Sequence, residues 1–119
     1  MAEEVIWHVF GDDSTKTAPI VDWVEGRKLD CANGRAFWTV YAVEAYSNTK
    51  ACVAGLYVKS AHLALVAWRA GQAMSETALA HELCHAYFRD TASHEICRDD
   101  GSHDDPVTRA NEQLRKMGL

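Results

Sequence analysis

The chain has 119 residues, a net charge of −5, 48% hydrophobic and 24% charged residues. This is the length of a single domain, residues 1–119, with enough apolar material to form an ordinary core rather than stay disordered. The acidic balance gives no reason to expect nucleic-acid binding, and the 12 Lys and Arg residues form no run that could track a phosphate backbone. No stretch of about 18 apolar residues offers a membrane span.

In chain order, residues 5–10 read as a first strand, ended by the polar stretch 11–15. Pro19 and residues 20–24 open either a short helix or a second extended piece. Asn33-Gly34 is a turn signal. Residues 37–43, aromatic and β-branched, read as a strand. A turn at 47–50 precedes two more strands at 52–58 and 61–68, joined at Lys59-Ser60, and Gly71 breaks the pattern. Ser75 and Glu76 give a start signal for a helix over 76–89, along which Ala78, Leu79, Leu83, Ala86 and Tyr87 or Phe88 supply apolar faces. After a polar loop, a last helix begins at Asp105-Pro106, with proline in its first turn, and ends before Gly118. Strands followed by two helices predict an α+β domain with a small, mostly antiparallel sheet.

The first residues, Met1-Ala2-Glu3-Glu4, lack the basic and apolar segments of a signal peptide. They fit a cytoplasmic protein or a mature domain that has lost its leader. The four cysteines tilt toward the second. Their order suggests Cys31 with Cys52 and Cys84 with Cys97, against the alternative of four reduced thiols.

The segment that carries chemistry is His81-Glu82-Leu83-Cys84-His85. Four residues advance about 400° around a helix, so His81 and His85 leave the same face one turn apart, where both can reach one zinc ion. Glu82, about 100° from His81, stands beside the ion and can take a proton from a zinc-bound water. From this composition a chance match to the five-residue pattern is expected in only about 2% of such chains. The uncharged flanks, Thr77 to Ala80 and Ala86-Tyr87, suit a helix buried in the middle of a domain.

The stretch TALAHELCHAYFRD resembles the active-site helix of the zincin metallopeptidases. The chain is similar in size to the minigluzincins, and its HELCHA wording looks like that of the SprT-like peptidases. The resemblance implies a zincin-like fold with strands before the helix, peptide-bond hydrolysis, a Zn2+ cofactor held by His81 and His85, Glu82 as catalytic carboxylate, and a peptide or protein substrate. An edge strand within 52–68 would then pair with the substrate backbone. Ala80 and Cys84 depart from the deformylase pattern, and Phe88 and Thr91 from that of the metzincins.

Catalytic zinc ordinarily takes a third protein ligand. His103 is the assignment adopted, since Gly101 lets its loop bend back and Asp104 or Asp105 could orient the ring. SprT-like peptidases also draw a histidine from a loop beyond the helix. His94, Glu112 and Cys97 are the alternatives. His8 and His62 read as ordinary histidines. Two rival readings stand beside the peptidase: a non-catalytic zinc-binding module closed by a fourth protein ligand, and a latent or degenerate peptidase.

Overall fold

The computed structural model describes residues 2–25, 55–68, 70–89, 96–98 and 100–119. Its first element corrects the strand expected at 5–10, because Ala2–Phe10 is a helix, α1. Val5, Ile6, Trp7, Val9 and Phe10 are strand-favouring residue types in isolation. The buried ones, however, are Ile6, Trp7 and Phe10, which share one helical face, and Glu3 and Glu4 fill the first turn, where the helix dipole favours carboxylates. The undecided segment at 20–24 is extended, as strand β1 over Ile20–Glu25.

Two strands expected between 52 and 68 are present as β2, Gly55–Val58, and β3, Leu63–Trp68. Their junction is a 3-10 turn, Lys59–Ala61, closed by His62 in the left-handed conformation. The turns expected at Asn33-Gly34 and at 47–50, and the strand expected at 37–43, lie outside the described residues.

The sheet runs β1-β3-β2. β2 and β3 are antiparallel, from Gly55↔Val66 to Val58↔Leu63, as their short connection requires. β1 lies parallel to β3, from Ile20↔Leu63 to Glu25↔Trp68. The sheet is therefore mixed, not mostly antiparallel. A parallel pair needs a long crossover, and the chain between residues 25 and 63 is long enough to provide one.

The second helix, α2, covers Leu79–Phe88 and starts later than the expected Glu76. Ser75 does not cap it: its hydroxyl and its N–H both donate to the Leu119 carbonyl, at 3.4 and 3.2 Å. Residues Met74–Glu76 instead form a 3-10 turn, and Thr77 Oγ1 accepts from the Leu79 N–H at 3.2 Å. At its other end, Arg89 adopts the left-handed conformation and its N–H returns to the His85 carbonyl. Lys16 Nζ donates to the Tyr87 carbonyl at 2.8 Å and lies 4.2 Å over the Tyr87 ring, placing a cation at the negative end of the helix.

The carboxy-terminal helix, α3, spans Pro106–Lys116 as expected, with Asp105 as its cap. α2 is buried around nearly its whole girth, packed against β2 and β3 and against α1 and α3. The core joins Ile6, Trp7 and Phe10 to Tyr57, Val66, Leu79, Leu83 and Tyr87 and to Val107, Ala110 and Leu114. A disulfide joins Cys84 on α2 to Cys97, while Cys31 and Cys52 lie outside the described residues. No helix among the described residues is long and apolar enough to cross a membrane.

Asp105 is fully buried, and its carboxylate accepts from the N–H groups of Asp100 and Val107 and from the Thr108 hydroxyl. Asp105→Ala removes the cap and strands those donors, so a loss of about 2–3 kcal/mol in urea unfolding is expected, with Asp105→Asn losing less.

Candidate metal centre

The geometry begins with one turn of α2. His81 Nε2 and His85 Nε2 are 3.0 Å apart, and the two rings meet edge-on with centroids 4.6 Å apart. Two nitrogens bound at about 2.0–2.1 Å to one tetrahedral zinc ion would stand about 3.3 Å apart, so the pair needs only a small adjustment to hold one. His81 is half-buried and His85 is 4% exposed. Imidazole nitrogens are donors that zinc accepts readily, so the residues fit the ion.

Glu82 lies on the side of α2 that meets β2, and it is only 6% exposed. A Cβ built on Gly55 would stand 2.8 Å from Glu82 Cγ and 2.9 Å from Ala78 Cβ, so the sheet can approach this helix closely only with glycine there. The Tyr57 N–H donates to the Glu82 carboxylate. In an antiparallel ladder, alternate residues turn their N–H groups away from the partner strand, and Tyr57 uses that outward group for Glu82. Burial raises the Glu82 pKa from 4.5 to about 8, with the Tyr57 hydrogen bond opposing the shift.

The Tyr57 side chain runs into the core, and its hydroxyl is 2.7 Å from His62 Nδ1, whose other ring nitrogen meets the Thr17 carbonyl. His62 is thereby a structural link between the β2–β3 turn and the segment before β1. The exposed His8 sits 3.5 Å from Asp12. Neither lies on a strand, but both fit the ordinary roles expected of them.

The structure does not bring His103 to the histidine pair. Its side chain is 86% exposed and lies 3.5 Å from Glu112 on α3, so two of the ligand candidates face each other instead. Among the described residues, no group of three His, Cys, Asp or Glu side chains converges as a metal site. His94 lies outside the described residues. Cys97 has its sulfur committed to Cys84, so neither thiol competes for a metal.

Sequence reasoning missed Gly55 and Tyr57. An isolated glycine in a strand pattern marks a close backbone approach and was the signal available. The hydrogen bond from Tyr57 is made by its backbone, which residue type does not reveal.

No protein-family model, curated protein or solved structure matches this chain.

In the metal-free chain, the folded state keeps a proton on Glu82 up to about pH 8, whereas the unfolded chain releases it near 4.5. Stability should therefore fall as pH rises between those values. Urea unfolding of chelator-treated protein is expected to show Glu82→Gln more stable than wild type at pH 8, by the order of a few kcal/mol, and the two alike near pH 4. A cation at the histidine pair favours the carboxylate and should shrink the difference.

Proposed function

We propose that the chain is a small zinc-dependent peptidase of the zincin type, with His81 and His85 as metal ligands and Glu82 as the catalytic carboxylate. The observation that carries this reading is the convergence of the two Nε2 atoms, 3.0 Å apart. A bound zinc ion would supply Lewis-acid polarisation of a carbonyl and lower the pKa of water toward neutrality.

On a helix Glu82 leaves the axis about 100° from His81, which would set its carboxyl beside the metal position rather than on it. A cation at the histidine pair would favour the ionised carboxylate, which could then take a proton from the attacking water and deliver one to the departing amine. β2 is an edge strand among the described residues, and the outward N–H of Tyr57 already meets Glu82.

The rival reading, a closed non-catalytic zinc module, loses one of its donors, since the Cys97 sulfur is bonded to Cys84. Low activity from a latent peptidase would be read directly by the same assays.

Metal analysis and a peptide-library cleavage assay test the proposal together. Wild type and Glu82→Gln should each hold about one zinc per chain, with hydrolysis reduced about 10²–10⁴-fold in the variant. His85→Ala should lose the metal, whereas His103→Ala should keep it, because His103 stands apart from the pair. Equal cleavage by wild type and Glu82→Gln would remove Glu82 from the mechanism.

A further inference from the structure

The link made by His62 reaches beyond the β2–β3 turn. His62 holds φ 46 and ψ 54, the left-handed conformation that glycine enters at least cost. Its backbone closes the turn, donating to the Lys59 carbonyl at 3.3 Å and accepting from the Ile20 N–H at 3.2 Å. Any residue could make those two bonds, glycine with less strain. Only the bonds of the ring need histidine, and the ring is held at both nitrogens.

The proton arrangement of the ring follows from its partners. A neutral imidazole carries one N–H. The Thr17 carbonyl can only accept, so that N–H lies on Nε2, and Nδ1 accepts from the Tyr57 hydroxyl at 2.7 Å. Burial raises the Tyr57 pKa above its ordinary value, so the hydroxyl keeps the proton it donates. The two rings also meet edge-on, with centroids 5.7 Å apart. The Tyr57 side chain, 2% exposed, is therefore fixed at its far end as well as along its length.

Tyr57 is also the residue whose N–H reaches Glu82. Alternation along the antiparallel pair gives the N–H groups of Leu56 and Val58 to β3 and leaves that of Tyr57 to the carboxyl. Residues two apart on a strand share a face, so the Tyr57 ring leaves β2 on the side where Gly55 meets α2. A tyrosine side chain turns about only two bonds. Pinning its hydroxyl therefore restricts the angle at which residue 57 sits in the strand, and with it the direction of the N–H.

We propose that His62 is a positioning residue for Glu82: its hydrogen bond to the Tyr57 hydroxyl keeps the Tyr57 N–H aimed at the Glu82 carboxyl. His62 acts only through Tyr57. The inference rests on the peptidase reading for its effect on hydrolysis, but not for its effect on the contact between β2 and Glu82.

The test uses the full chain with His62→Gly, which removes the ring and suits the left-handed backbone, and Tyr57→Phe, which removes only the hydroxyl. Tyr57→Phe, the milder change, decides the matter if His62→Gly does not fold. Hydrogen exchange read by nitrogen-15 NMR should show the amide of residue 57 exchanging about tenfold faster in both variants, with the amides of Leu56 and Val58 within about twofold of wild type. Both variants should retain about one zinc per chain, and in the cleavage assay kcat should fall about tenfold with KM within about twofold. Unchanged exchange at residue 57 overturns the positioning role. Faster exchange shared equally by Leu56 and Val58 also overturns it, because His62 would then support the strand as a whole. Where wild type cleaves, an unaltered kcat or a loss confined to KM overturns it as well. Faster exchange confined to residue 57, in a protein whose wild type cuts no peptide, supports the hold on Glu82 while the peptidase reading falls.

Discussion

A buried carboxyl group held between a helix and a strand sets the arrangement of the centre of this protein. Glu82 is pressed against Gly55, where no larger residue leaves room, and receives a hydrogen bond from the Tyr57 backbone. Burying a group that prefers water is costly without compensation. The backbone donor offsets only part of that cost, so the carboxyl keeps its proton well above the usual carboxylate range, and the close approach fixes how α2 sits on β2. The direction of the His81–His85 pair follows from that contact, because all three side chains leave the same two turns of helix. Packing of α1 and α3 on the far side holds α2 in place.

Parts of this were legible in the sequence because they depend on neighbouring residues. The spacing of His81 and His85 gives their shared face without any tertiary knowledge. Asp105-Pro106 marks a helix start because capping and the fixed proline angle act within one turn. The short connection at Lys59-Ser60 forces β2 and β3 to be antiparallel. The late start of α2 was not legible, because the Ser75 hydroxyl expected to mark it is turned to the carbonyl of Leu119, 44 residues further on. The helical state of residues 5–10 was hidden for a related reason: their residue types suit strands, and only packing of Ile6, Trp7 and Phe10 beside α2 and α3 selects the helix. β1 alongside β3 likewise depends on a distant pairing.

The site was legible at its centre and not at its margins. His81, Glu82 and His85 were found from local spacing, whereas His103 was assigned from loop composition, and composition does not fix where a loop points. Its exposed side chain is drawn to Glu112, a neighbour about two turns into the following helix. Gly55 was visible as a residue but not as a contact, since its meaning depends on which side chain comes to rest against it.

The bridge from Cys84 to Cys97 closes a covalent ring that begins within the histidine motif. A single backbone cut between Phe88 and Cys97 would leave both fragments of the chain tied together. The nicked molecule would migrate as one species in a denaturing gel until a reductant was added. Both motif histidines would remain on the amino-terminal fragment, still linked through sulfur to the piece that carries α3.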